Sequence, residues 1–336
     1  MFYHTTPIGE DDTVFLKYVF WSFGPCIDGF KYCKSVISID GTHLYGKYQG
    51  KLLVAMATDA NNKVFSLAFT VVDCELGSSW MWFLQCLRDT IGHVIPDKGI
   101  CIIFYRHLGI KNAIANWPRE DDGRTWVFHR YCLRHVVINF NTHFQNSTLK
   151  SVALRAGYAT QVVKFDTIME SIKQVEIEAI RNKKNVSRKD GREKNQDYLP
   201  YTYLMSEFGD MWTQSHDGGR RFGAMTTNIS KCFNGILKGA RGLLIAALVE
   251  FTWSKLVQYF HDQHKEYHYE LSKGKKWSEY AFDTCDGNKR KFEKHYLKAF
   301  SNQQMIYQVV TSFNMCSVGG GKIGRASCRE RVLMSV

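Results

Sequence analysis

Residues 35–73 read SVISIDGTHLYGKYQGKLLVAMATDANNKVFSLAFTVVD and hold three short apolar runs: Ser35–Asp40 (SVISID), Leu52–Thr58 (LLVAMAT) and Val64–Val72 (VFSLAFTVV). Turn signals separate them at Gly46–Lys47 and at Ala60–Asn61–Asn62. Runs of this length with several β-branched or aromatic residues, bounded by such signals, predict a three-stranded meander. Downstream, Ser78 is expected to cap a helix, because Trp80, Phe83, Leu84, Leu87 and Ile91 recur at helical spacing. The wholly apolar Ile100–Phe104 (ICIIF) suits a strand buried on both faces. A short helix around Ile110–Ala115, a strand Trp126–His129 and a helix carrying Cys132–His135 follow. The order β-β-β-α-β-α-β-α predicts an α/β chain with a mixed sheet covered by helices.

From about Leu149 the strand signals stop. Val162–Ile180 and Tyr201–Met211 read as helical, with a polar, basic loop between them at Arg181–Lys194 (RNKKNVSRKDGREK). A second helical block runs from Thr226 to Leu271, closed by Lys273–Lys276 (KGKK). Within it Trp253, Tyr259, Phe260, His261 and Tyr267 recur at helical intervals, the pattern of a packed face, with a base-stacking platform as the other reading.

The chain has 336 residues, 45% hydrophobic and 14% aromatic, enough for one large domain or two ordinary ones. No stretch approaches the roughly 20 consecutive apolar residues of a membrane span, and residues 1–12 show no secretory pattern. The ten cysteines lack paired spacing, which fits free thiols in a reducing compartment. The tail Lys322–Val332 (KIGRASCRERV) reads like a translated sequencing adaptor, so residues 322–336 are treated as an adaptor-derived scar. Its four cations against Glu330 carry +3, and removing them from the net +12 leaves +9. Such a balance favours a polyanionic partner.

Asp40 ends the first run, inside Ile39–His43 (IDGTH). A carboxylate at the carboxyl edge of a buried strand is a natural ligand for a hard cation, since ligands gather at that edge. Asp-Gly is equally a common turn dipeptide, and the local pattern alone leaves both readings open.

Residues 20–73 are similar throughout to the core of plant Mutator-like element (MULE) transposases. So are Trp80–Phe83 (WMWF), Arg106–Ile110 (RHLGI), Phe128–His135 (FHRYCLRH) and His216–Asn234 (HDGGRRFGAMTTNISKCFN). The resemblance covers residues 10–320 in the family's order. It implies an RNase H-like fold, a mixed sheet with flanking helices interrupted by a helical insertion, with which the element order agrees. The implied organisation is a lead-in at 1–30, the first part of the core at 31–148 and the insertion at 149–215. Core-completing helices follow at 216–272, and a helical or loop segment at 273–321 leads toward the family's SWIM zinc finger. The chain stops near where that finger would start, so specific recognition of transposon ends is not expected of it.

The family cuts and rejoins DNA with a DDE triad holding two Mg²⁺ or Mn²⁺ ions. Carboxylates suit such ions, which sit about 3.5–4 Å apart and activate the attacking and leaving oxygens. The resemblance places the first acid at Asp40, the metal-ligand position. At the second acidic position stands Tyr105, after Phe104 and before the family-motif residues Arg106 and His107. At the third stands Lys231. One acid of three remains, and the resemblance therefore implies a transposase copy whose catalytic centre is inactive and holds no metal productively. Asp59, Asp73, Glu75, Asp121 and Asp122 are the candidate substitutes. Asp59 falls in the turn after the second strand, Asp73 and Glu75 in the loop after the third, and Asp121 and Asp122 in a polar loop. None takes the end of Ile100–Phe104. The replacements, with Leu244 for a family proline, are each reachable by one nucleotide change, the mark of drift in an unselected copy.

Cys132 and His135 match a further family signature. Two ligands fall short of the four that structural zinc requires, so the pair is expected to orient the backbone, or His135 to contact DNA. His129 and Arg130 are read as facing either a phosphate or solvent. Tyr105 and Lys231 lie 126 residues apart, room for the insertion that in such enzymes helps grip DNA. Arg181, Lys183, Lys184, Arg188, Lys189 and Arg192 are the candidate DNA contacts. The expected partner is DNA, with a possible homo-oligomer and neither a membrane nor a small-molecule substrate, and the expected location is the nucleus. The alternatives are a non-catalytic DNA-binding or transcription-regulatory protein from a domesticated MULE transposase, and a pseudogene product without a role.

Overall fold

The computed structural model describes residues 1–7, 14–47, 49–96, 99–105, 108–115, 127–187, 199–206, 209–293, 295–301 and 306–311, with backbone alone for 7, 179–187, 291, 295–301 and 306–311. The chain divides into two compact units, Met1–His268 and Tyr269–Val336.

The first unit is built on a seven-stranded mixed sheet. Strands β1 (Phe2–Pro7) and β2 (Val14–Trp21) pair antiparallel, and helix α1 (Gly24–Phe30) starts with a proline in its first turn. Then come β3 (Val36–His43), β4 (Lys51–Thr58) and β5 (Val64–Val72), the expected meander. The order across the sheet is β1-β2-β5-β4-β3-β6-β7, where β6 is Ile100–Phe104 and β7 is Val127–Tyr131. The β3–β6 and β6–β7 pairs are parallel, and the rest are antiparallel. Residues 100–104 are all buried, as a parallel strand covered on both faces requires.

Helix α2 (Gly77–Ile91) joins β5 to β6, and α3 (Leu108–Ala115) lies between the parallel β6 and β7. Trp80, Phe83, Leu84, Leu87 and Ile91 are all essentially inaccessible. Burying each such side chain is worth about 1.5–3 kcal/mol, which fixes the helix face more firmly than any cap. The capping role expected of Ser78 belongs to Ser79, whose Oγ accepts from the Leu76 N–H at 2.9 Å. As the third residue of the helix, Ser79 can reach back to that free amide.

Helices α4 (Leu133–Phe144), α5 (Ser147–Tyr158) and α6 (Val162–Ser187) follow, then α7 (Pro200–Met205), α8 (Gly209–Trp212), α9 (Asn228–Ile236) and α10 (Ile245–Ser272). Trp21 donates its indole N–H to Thr252 Oγ1 at 3.0 Å, tying β2 to α10. The aromatics of α10 pack as the helical spacing predicts. Phe65 lies against Tyr259 and Phe260, Trp253 lies 5.0 Å from Phe23, and the Tyr259 and Tyr267 hydroxyls both donate to Asp59.

Several expectations are corrected. The lead-in contributes two strands of the main sheet, with Tyr18, Val19, Phe20 and Trp21 buried. Helix α6 continues through Arg181, Lys183 and Lys184 to Ser187, where a loop was expected. The helical propensity of lysine and arginine explains the extension. Arg188, Lys189 and Arg192 lie outside the described residues, as do Arg106, His107, Asp121 and Asp122 and the tail 322–336. In the second unit α11 (Glu279–Phe292) precedes an antiparallel hairpin of β8 (His295–Ser301) and β9 (Ile306–Thr311), where only helix and loop were expected. The aromatic and β-branched residues within HYLKAFS and IYQVVT carry that strand signal. Among the described residues, no helix is long and apolar enough to cross a membrane.

Candidate functional site

Asp40 lies near the carboxyl end of β3, in register with Val54 of β4 and 8% exposed. Side chains alternate along a strand, so Ser38 and Asp40 share one face, and α9 covers it. Ser230 donates its hydroxyl to Ser38 Oγ at 2.8 Å, and Asn234 donates its amide to Asp40 Oδ2 at 3.3 Å. Both are one turn apart on α9, the spacing that lets one helix follow one strand. Lys231 sits between them in sequence, and its ammonium lies 3.2 Å from His135 Nε2 at the start of α4.

Tyr105 follows β6 directly. Its ring lies 5.9 Å from that of His135, and its hydroxyl donates to Glu75 Oε2 in a short contact. Glu75 in turn pairs with Lys51 at 3.3 Å, and Lys51 Nζ lies 2.7 Å from His43 Nε2. Added at Gly41, a Cβ would lie 2.6 Å from Glu75 Oε1, so Gly41 is what admits this carboxylate beside Asp40. A polar chain therefore runs through His43, Lys51, Glu75 and Tyr105 to the ring of His135, then to Lys231, whose charge acts on Asp40.

The electrostatics follow from burial and these neighbours. Burial raises the Asp40 carboxyl to about 6, with Glu75 adding to the rise, while Lys231 and His135 oppose it. The Tyr105 phenol is raised well above its ordinary value by burial, by the hydrogen bond to Glu75 and by the Glu75 charge, so it is a neutral donor. At Cys132, the N-cap of α4, burial acts upward. The neighbouring His135 imidazole and hydrogen bonds from the Thr227 N–H (3.3 Å) and hydroxyl (3.6 Å) outweigh it and bring the thiol down to about 7.

The segment before α9 props up this corner. Arg221 is fully buried and donates to the carbonyls of Tyr131 (3.0 Å) and Met211 (2.6 Å), while its own N–H donates to Asp217. Leu133 N–H donates to the Met225 carbonyl at 2.8 Å, fastening the start of α4 to the same segment.

Of the residues singled out from sequence, the structure brings together Asp40, Tyr105, Lys231, His135 and Cys132. Arg130 does not face a phosphate: it is 8% exposed, donates to the His129 carbonyl and pairs with Asp210 at 3.4 Å. His129 is half-buried, and burial with the Arg130 charge lowers its pKa. Backbone for Arg181, Lys183 and Lys184 lies in α6.

Glu75 and Asn234 were missed as parts of the site. Glu75 does lie in the loop after β5, as expected, yet that loop reaches the end of β6. The signal was the meander itself, since the register His43–Lys51–Val72 brings the loop after β5 to the edge where Asp40 lies. Asn234 could be found only by recognising that Ser230 and Asn234 share a helix face with Lys231 between them.

Residues 36–139 match the MULE transposase domain family. The match runs from β3 into α4 and includes Asp40, Glu75, Tyr105, Cys132 and His135, while Lys231 lies beyond it. A comparison with curated proteins gives no match.

Proposed function

We propose that the chain is a DNA transposase core of the RNase H-like, DDE class from a plant MULE element, and that this copy keeps DNA binding but has lost phosphodiester cleavage. The observation that carries the reading is the Lys231 ammonium, 3.2 Å from His135 Nε2 and close enough to Asp40 to act on its charge. The match at residues 36–139 supports the transposase origin, and a transposase domain acts on DNA. The antiparallel meander followed by two parallel strands, with Asp40 on β3 where the antiparallel and parallel parts of the sheet meet, agrees with an RNase H-like core.

The residues present do not fit a two-metal centre. A pair of divalent ions needs several anionic oxygens to offset four positive charges. At the three family positions stand one carboxyl raised to about 6, one phenol held neutral and one ammonium. Asp40 Oδ2 also accepts from Asn234, and Glu75 is engaged by Lys51 and Tyr105. The same cations suit a phosphate directly: Lys231 keeps donors beyond the one facing His135, and Lys51 lies along the edge. Nuclear location follows from a DNA partner.

The test is nicking of supercoiled DNA in Mg²⁺ or Mn²⁺ by the full chain beside the double variant Tyr105→Asp, Lys231→Glu. Cleavage by the double variant alone is the expected result. Cleavage by the unmodified chain that Asp40→Asn abolishes would overturn the loss of chemistry.

A further inference from the structure

We infer that the groove beside the Asp40 cluster seats one unstacked nucleotide of a DNA strand, with Tyr45 as the platform on which its base lies. The inference rests on the DNA-binding reading above and adds where a strand is held. The groove has a volume of about 570 Å³ and is lined by His43, Tyr45, Gln49, Lys51 and Asp73, among others.

Tyr45 is 69% exposed, and exposed aromatics are ordinary when they stand alone. This one is held in place. Its N–H donates to the Arg241 carbonyl at 3.0 Å, and the N–H of buried Leu44 donates to the Gly50 carbonyl at 3.0 Å. On its other side Gly46 packs so tightly that an added Cβ would lie 2.4 Å from the Gly242 carbonyl oxygen. The ring is thus presented by a backbone fastened on both sides, and little ordering entropy remains to be lost on binding. The Arg241 guanidinium lies 6.0 Å from the ring centroid and donates to the Asn234 carbonyl at 2.6 Å. The platform is therefore joined to the residue that donates to Asp40.

The lining discriminates between parts of a nucleotide. Asp73 repels a phosphate but accepts from the amino edge of a base, and His43, Gln49 and Lys51 offer polar partners around it. Exposed Lys47, two residues beyond Tyr45, adds a cation to the same loop. A base stacks on an aromatic face only if it leaves its own stack, so the groove fits a single-stranded or flipped nucleotide rather than an intact duplex. His43 is three residues beyond Asp40 on β3, about 10 Å along the strand at 3.3 Å per residue.

The test uses the full chain, without metal, and a short single-stranded DNA carrying one 2-aminopurine. Tyr45→Ala is expected to weaken binding by about 5- to 100-fold and to abolish the quenching of 2-aminopurine, because stacking on one aromatic ring is worth that much. Tyr45→Phe and Tyr45→Trp keep both affinity and quenching, and parent-like duplex binding by Tyr45→Ala shows that its fold is intact. Unchanged affinity and quenching in Tyr45→Ala, in a chain that still binds duplex DNA, would overturn the groove assignment alone. A parent chain that binds neither strand nor duplex would overturn the DNA-binding reading as well.

Discussion

The ammonium of Lys231 stands 3.2 Å from His135 Nε2, and both residues oppose the burial that raises the Asp40 carboxyl. Asp40 is thus an acid kept from its ordinary ionisation by its place in the sheet and drawn partly back by His135 of α4 and Lys231 of α9. That balance makes the site's contribution to stability depend on pH.

The first prediction follows from the sign of that shift. The folded-state pKa of Asp40 is about 6 against an ordinary value of 3.8, so its ionisation opposes folding. The stability it contributes as a neutral acid is fully present below about pH 4 and is lost as pH rises through about 6. Asp40→Asn removes the titration, so relative to the parent it gains stability between pH 4 and pH 8. The expected gain is about 1–3 kcal/mol, since each pKa unit is worth about 1.4 kcal/mol. Urea unfolding at both pH values measures it. An identical difference between variant and parent at the two values would refute the assignment.

Cys132 gives a second handle of opposite sign. Its thiol is brought down to about 7 by His135 and Thr227 in spite of burial, whereas burial raises Cys26, Cys33 and Cys86 to about 12. The difference in thiolate absorbance near 240 nm between parent and Cys132→Ala should therefore titrate with a midpoint near 7. In His135→Phe the midpoint should move upward, because the neighbour that lowers the thiol most is gone. Cys132 then contributes stability above its unfolded value, lost as pH falls through about 7. A midpoint that ignores His135→Phe would show that the helix end or Thr227 alone governs the thiol.

The parts of this molecule that were legible in the sequence are those set by local periodicity. The three runs of residues 35–73 and the apolar ICIIF became β3, β4, β5 and β6 because period and burial agree there. Strands β1 and β2 escaped because, among the described residues of that pair, only 18–21 are buried, so the alternation is weak. At the site, the position of Asp40 followed from its strand, but the role of Glu75 did not. Its meaning depends on register across three strands and on the missing side chain at Gly41, which no local pattern displays. Arg221 was equally hidden, because a charged residue within a glycine-rich run reads as surface until its carbonyl partners are seen.

Arg221 should be among the most sensitive positions away from Asp40. Its guanidinium satisfies the Tyr131 and Met211 carbonyls in a place without solvent, and burial lowers its pKa to about 10. Arg221→Ala leaves both carbonyls unpaired and opens a cavity. Each lost partner costs about 1–3 kcal/mol, so a total loss of about 3–5 kcal/mol is expected. Arg221→Lys recovers only part of it, since one ammonium cannot reproduce the planar fork. Denaturant unfolding of the full chain decides the matter, and a loss within about 0.5 kcal/mol for Arg221→Ala, the range of ordinary surface changes, would rule out the buttressing role.

Gly41 and Gly46 separate two ways of being indispensable as glycine. At Gly46 an added methyl meets backbone, the Gly242 carbonyl oxygen at 2.4 Å, and nothing there can swing aside. Gly46→Ala must push the Tyr45 loop off its anchor, at a cost of about 1–3 kcal/mol typical of overpacking. At Gly41 the methyl meets the far end of the Glu75 side chain, 2.6 Å from Oε1. That carboxylate can rotate away, so Gly41→Ala costs less stability but parts Glu75 from Tyr105. The phenol then loses both the hydrogen bond and the adjacent charge that raise it, and its titration moves downward. Thermal unfolding with ultraviolet titration of both variants tests the contrast. A Gly41→Ala protein less stable than Gly46→Ala, or one whose Tyr105 titration is unmoved, would mean that Glu75 is wedged in place and the carboxylate cannot yield.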